Sequence, residues 1–199
     1  CQAAQGQDVL VGGSIGPTGH MLAPLGTVSV EEAEENFREQ ARLLVEGGVD
    51  LVVIETQFDI NEALAAIRGV RAVDSDVPLV CSFSYDRGTR TMMGVKPEDM
   101  AAQIGEMPVD VLGVNCGRSL SENLEVLKQL RAATEKPIWF KPNAGLPETD
   151  EEGNTLYSVT PSEMGALVPT WVEAGAQIVG GCCGTSPAHL SAIASAVSG

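Results

Sequence analysis

Cys182 and Cys183 stand side by side in Gly180-Gly181-Cys182-Cys183-Gly184. They follow the apolar run Gln177-Ile178-Val179 and precede Thr185-Ser186-Pro187, which reads as a helix start. That order puts both thiols at the carboxyl end of a buried strand, where α/β proteins gather their chemistry. Neighbouring cysteines rarely bridge each other, because so short a ring strains the disulfide. A metal ion can take both thiolates and then needs a third ligand from elsewhere in the fold. Cys116, in Val114-Asn115-Cys116-Gly117 at the end of another apolar run, is the natural candidate.

A Zn²⁺ ion held by three thiolates carries a net negative charge. Such a centre is poor at making hydroxide from water and better at keeping a fourth, bound thiolate nucleophilic. The chemistry it implies is alkyl transfer to sulfur rather than hydrolysis. The competing reading is that cysteines are small buried hydrophobes. It suits Cys81 within Leu79-Val80-Cys81-Ser82-Phe83, but packing gives no reason for a glycine-flanked pair.

The elements that must position these thiols alternate along the chain. Apolar, β-branched runs at Asp8–Gly13, Asp50–Glu55, Pro78–Phe83, Asp110–Asn115, Pro137–Lys141 and Ala176–Gly181 are continuous rather than alternating, as expected of parallel strands buried on both faces. Between them lie helix signals. Ser29 with Glu32 forms a capping box, Asp59 with Glu62 opens a second helix, and Pro97 suits the first turn of a third. Ser121 begins another helix running to about Ala133, Thr160-Pro161-Ser162-Glu163 caps the next, and Ser186-Pro187 starts the last. This rhythm fits a doubly wound sheet or a (β/α)8 barrel. Every run ends in distinctive residues, and functional ends spread over all strands favour the barrel. The expected fold is therefore a (β/α)8 TIM barrel truncated to its last six βα units, one domain over residues 1–199. Cys1–Gln7 reads as the tail of a preceding helix, with the first two strands missing, and Cys1 in place of methionine suggests a piece of a longer protein.

Composition narrows the functional classes. The 199 residues are 44% hydrophobic, enough for one ordinary core, and carry a formal charge of −15, which disfavours nucleic acid and anionic membranes. Five cysteines, three of them at strand ends, argue against a disulfide framework and fit a reducing cytoplasm. No run is long and apolar enough for a membrane span. Gly13, Gly16 and Gly19 lack the spacing of a dinucleotide loop and the Lys-Ser/Thr of a P-loop. His20, His189, Met92, Met93 and Trp139 read as surface or packing residues, and Arg87 and Arg90 as a solvated loop.

Taken together, Gly180-Gly181-Cys182-Cys183-Gly184 and Val114-Asn115-Cys116 closely resemble the zinc signature of homocysteine S-methyltransferases. Val11-Gly12-Gly13-Ser14-Ile15-Gly16-Pro17-Thr18-Gly19, Ile54-Glu55-Thr56 and Lys141-Pro142-Asn143-Ala144-Gly145-Leu146-Pro147 are most similar to the homocysteine-binding module of the family's cobalamin-dependent, methionine-forming branch. The resemblance implies a barrel in which Cys116, Cys182 and Cys183 bind Zn²⁺ and the metal binds the homocysteine thiol. It implies that Glu55 accepts the substrate ammonium, that Thr56 supports the site, and that Asn143 turns an amide oxygen toward the metal. Bland alternatives are a loop-capping carboxylate for Glu55 and a turn residue for Asn143. The methyl donor implied is methylcobalamin on a separate module, with cobalamin- and folate-binding modules as partners. S-methylmethionine or betaine is the alternative donor, and a non-catalytic zinc-binding fragment the alternative role. Two family segments, an Asp-Gly-Ala-Met-Gly-Thr-like loop that helps hold the amino-acid end of homocysteine and a Thr-Asn-Thr-Phe-like strand end, are not found in the chain.

Overall fold

The computed structural model describes residues 1–198. After a short 3-10 turn at Gln2–Ala4 come β1 (Gly12–Ile15), α1 (Val30–Glu46), β2 (Leu51–Gln57), α2 (Ile60–Val73), β3 (Leu79–Phe83), α3 (Pro97–Ile104), β4 (Val111–Cys116) and α4 (Leu120–Ala133). They are followed by β5 (Ile138–Pro142), the pair β6 (Pro147–Thr149) and β7 (Thr155–Tyr157), α5 (Pro161–Glu173), β8 (Ile178–Val179) and α6 (Pro187–Ser198). Six strands form one parallel sheet in the order β1-β2-β3-β4-β5-β8, and β6 and β7 form a separate antiparallel hairpin. Among the described residues β1 and β8 are the two free edges of that sheet.

One face of the sheet carries the helices. Ile15, Val52, Ile54, Leu79, Cys81, Leu112, Val114, Ile138 and Phe140 are buried there with Phe37 and Ala41 of α1, Ile67 and Val70 of α2, and Leu127 and Leu130 of α4. Phe140 meets Trp171 of α5 edge to face, with ring centroids 5.2 Å apart. The opposite face bears Ser14, Glu55, Ser82, Asn115 and Lys141, which hydrogen-bond to one another across strands. β2 and β5 are three places apart, roughly 14 Å in a flat sheet, yet Glu55 and Lys141 meet at 3.3 Å. The sheet therefore curls inward like the wall of a barrel.

The caps are set by local chemistry. The Ser29 hydroxyl accepts from the Glu32 N–H while Glu32 accepts from the Ser29 N–H, and Thr160 and Glu163 repeat the arrangement. Two expectations move. β1 begins at Gly12 rather than Asp8, because its pairing with β2 starts at Gly12 opposite Leu51, and Val9 and Leu10 are left exposed. The helix after β4 is capped by Ser119, whose hydroxyl accepts from the Glu122 N–H, not by Ser121. The opening residues Gln2–Ala4 form a 3-10 turn, with Gly6 in the left-handed region two residues after it.

Candidate metal centre

Cys116 ends β4, while Cys182 and Cys183 lie in the turn between β8 and α6. The Cys116 Sγ is 3.2 Å from Cys182 Sγ and 4.0 Å from Cys183 Sγ, and the last two sulfurs are 4.0 Å apart. In a tetrahedral zinc–thiolate centre with bonds of 2.3 Å, sulfurs sit roughly 3.8 Å apart. The triangle fits such an ion. Cys116 and Cys182 are half-buried and Cys183 is exposed, which leaves one direction open, as in sites that exchange a fourth ligand.

The charge of the triad is unevenly distributed. Cys182 is held well below the usual thiol value, chiefly by the hydrogen bond from the Cys116 thiol and further by the Asn115 amide. Cys116 is pushed up by that same shared hydrogen bond, then by burial. Burial and the neighbouring Cys182 charge raise Cys183. A divalent ion that takes all three sulfurs as thiolates displaces whatever protons they carry.

The backbone around the sulfurs is tightly constrained. Among the described residues Thr56 and Cys116 are the two non-glycine residues with positive φ, 63° and 58°, a costly conformation that persists only where surroundings enforce it. The fully buried Asn115 anchors the first of them. Its Oδ1 accepts from the Thr56 N–H (2.9 Å) and the Ser82 hydroxyl (2.6 Å), while its Nδ2 donates to Thr56 Oγ1 (2.8 Å) and approaches Cys182 Sγ at 3.9 Å. Asn123 donates from α4 to the Cys116 carbonyl at 2.7 Å. Gly117 follows at φ 77°, where any Cβ would overlap the Asn123 amide.

The segment after β5 ties the two cysteine loops together. Cys182 N–H donates to the Pro142 carbonyl and Ala144 N–H to the Cys183 carbonyl, at 3.0 and 2.9 Å. Asn143 donates from Nδ2 to the Gly117 carbonyl (3.0 Å), and its Oδ1 accepts from the Cys183 N–H (2.9 Å). The amide oxygen that the resemblance turns toward the metal is thus engaged by backbone. Glu55 lies beside the centre on the inner face, accepting from the Ser14 hydroxyl at 2.7 Å and from Lys141 Nζ at 3.3 Å. The Thr56 side chain accepts from the Asn115 amide at 2.8 Å.

Sequence reading assigned no role to Asn115 or Lys141, while His189, read as a surface or packing residue, is buried. Asn115 was visible only as a buried amide in an otherwise apolar strand, which demands a polar partner. Lys141 was visible as the one cation in the six sheet strands. His189, at the start of α6, takes the Ser186 N–H on Nδ1 (3.1 Å) and contacts the Val159 carbonyl through Nε2 (2.9 Å), so it fastens α6 to the segment behind the hairpin. His20 is exposed. Among the described residues no helix is long and apolar enough to cross a membrane.

A curled parallel sheet whose strand ends converge three thiols defines an α/β protein able to hold a soft metal ion above its strands. The chain belongs to the homocysteine S-methyltransferase family, whose model matches residues 1–197. It is 32% identical over 190 residues to methionine synthase of Mycobacterium leprae and 31% identical to that of Mycobacterium tuberculosis. Each alignment covers 93% of this chain but 16% of the relative, so the chain spans about one sixth of their length. The crystal structure of the homocysteine methyltransferase MmuM from Escherichia coli superposes with a TM-score of 0.75 at 26% identity, covering 96% of this chain and 63% of that one. Its metallated form matches similarly, with a TM-score of 0.72.

Proposed function

We propose that this chain binds Zn²⁺ through Cys116, Cys182 and Cys183 and supports methyl transfer to the thiol of homocysteine, giving methionine. The observation that carries the reading is the sulfur triangle, with sides of 3.2, 4.0 and 4.0 Å and one exposed vertex. When bound, zinc would supply a thiolate-rich, electron-donating centre that keeps a fourth sulfur deprotonated at neutral pH. Asn123 holds the Cys116 carbonyl, Asn143 the Cys183 N–H, and the Asn115 amide approaches Cys182 Sγ, so the ligand-bearing turns are fixed before substrate arrives. Glu55, at the carboxyl end of β2, accepts the substrate ammonium through charge-assisted hydrogen bonds. Thr56 keeps the turn after Glu55 in place. In this reading methylcobalamin on a separate module is the donor, with folate- and cobalamin-binding modules as partners. Supporting this is the likeness to methionine synthases that extend far beyond the matched region. S-methylmethionine and betaine are the competing donors.

The test begins with zinc content per chain. Replacing Cys116, Cys182 or Cys183 by alanine should each abolish near-stoichiometric zinc, whereas Cys1→Ala and Cys81→Ala should keep it. Homocysteine added to the zinc-loaded protein should then release protons at pH 7, and each candidate donor is assayed for methionine formation. Zinc retained without Cys116 overturns the ligand set. Absence of thiol-dependent proton release makes the chain a non-catalytic zinc-binding fragment.

A further inference from the structure

Glu55 and Lys141 are the only charged residues in the six strands of the sheet. They face each other across its inner surface at 3.3 Å, with side chains 18% and 23% exposed. Stability does not explain the pair: a partly exposed ion pair contributes about 0–1 kcal/mol, and deeper burial adds a desolvation cost that often cancels the attraction. The surroundings are nonetheless shaped around the lysine. Its ammonium lies 5.2 Å from the centre of the Trp139 ring, a cation–π distance. A Cβ at Gly180 would come within 3.1 Å of Lys141 Cγ, so the glycine before the Gly181-Cys182-Cys183 turn gives the lysine stem its path. A cavity of about 320 Å³ lined by Trp139, Lys141, Ile178, Gly180 and Gly181 opens beside it.

Both charges connect to the sulfur centre through Asn115. Lys141 pairs in register with Asn115, whose amide reaches Cys182 Sγ, and Glu55 directly precedes Thr56, held by the same amide. Glu55 is the one hydrogen-bond partner of the Lys141 ammonium among the described residues, and an ammonium has three donors. An acid and a base side by side match an α-amino-acid zwitterion laid head to tail, ammonium on Glu55 and carboxylate on Lys141, so that the charges alternate in sign.

We propose that Lys141 is a specificity-determining residue that binds the α-carboxylate of the thiol substrate, making the Glu55–Lys141 pair a zwitterion reader. The inference rests on the homocysteine reading above and extends it to the other end of the substrate. Three probes separate the two: L-homocysteine, its decarboxylated aminothiol and its deaminated mercapto acid, titrated calorimetrically into the zinc-loaded protein. A charged hydrogen bond of the usual strength predicts that the parent protein prefers homocysteine to the aminothiol by about 10- to 100-fold. Lys141→Met should weaken homocysteine by that factor while the aminothiol binds equally or more tightly, with zinc content unchanged. Lys141→Arg should restore much of the preference, and Lys141→Gln repeats the test if the methionine variant does not fold. Equal weakening of homocysteine and aminothiol, or a preference that survives loss of the lysine, overturns the proposal while leaving homocysteine binding intact. If the parent protein binds none of the three thiols, the homocysteine reading itself falls, and this inference with it.

Discussion

Asn115 grips Thr56 with both ends of its amide, accepting from the Thr56 N–H at 2.9 Å and donating to Thr56 Oγ1 at 2.8 Å. The contact joins residues 59 positions apart and holds a β-branched residue at φ 63°, a conformation it would otherwise leave. Cys116 follows Asn115 in the chain and is itself at φ 58°, with its carbonyl held by the Asn123 amide at 2.7 Å. The strain is offset by hydrogen bonding in a place where the sulfur direction is decided.

Asn115→Ala should therefore lower both stability and metal affinity. It leaves the Thr56 N–H and the Ser82 hydroxyl without partners inside the sheet, and buried polar groups stranded in this way cost about 1–3 kcal/mol each. Urea unfolding should report a loss of roughly 2–4 kcal/mol. Zinc affinity, measured against a chromophoric chelator, should fall about 10- to 100-fold, the usual effect of removing a partner that orients a ligand. Unchanged zinc affinity in a destabilised variant would show that Asn115 serves the fold and not the centre.

Much of this arrangement is legible in the sequence. The paired cysteines stood out because packing has no use for two thiols between glycines, and the caps at Ser29 and Thr160 follow from hydrogen-bonding residues within one turn. The cap of the helix after β4 lies at Ser119, two residues before Ser121, because of the two serines flanking the helix start only Ser119 lies three before Glu122. The β6–β7 hairpin escaped notice because Pro147-Glu148-Thr149 and Thr155-Leu156-Tyr157 are too short and polar to show alternation. The Glu55–Lys141 contact spans 86 positions and exists only because the sheet curls, a property no local pattern encodes.

Acid should weaken the fold through a few identifiable carboxylates. Asp74 is held below the usual range by the Asp76 and Val77 N–H groups, Asp150 first by the Asn154 side chain, and Glu163 by the Thr160 N–H and hydroxyl. A carboxylate with a depressed folded value stabilises above its unfolded pKa, and that share is lost as pH falls through the folded value. Stability should be flat at neutral pH and decline below about pH 4.5, the upper end of the unperturbed carboxylate range. Glu163→Gln keeps an acceptor for the cap but cannot titrate. Its acid decline, followed by circular dichroism, should be shallower, with neutral-pH stability nearly unchanged; an identical slope would remove Glu163 from the explanation.

Asn143 separates two ways in which an amide near a metal centre can act. Its oxygen accepts from the Cys183 N–H and its nitrogen donates to the Gly117 carbonyl, so it splints the loop carrying Cys116 to the turn carrying Cys182 and Cys183. Asn143→Asp keeps an acceptor for Cys183 but loses the donor to Gly117 and adds negative charge beside three thiolates. A splint predicts weaker zinc binding in Asn143→Asp and in Asn143→Ala, each by about 10-fold or more. A metal-facing oxygen predicts the opposite order, because a carboxylate is the better ligand for a cation, so Asn143→Asp would match or exceed the parent protein while Asn143→Ala alone fell. The hydrogen bonds favour the splint, since both amide atoms are already engaged by backbone, and competition titrations of the two variants under identical conditions decide between them.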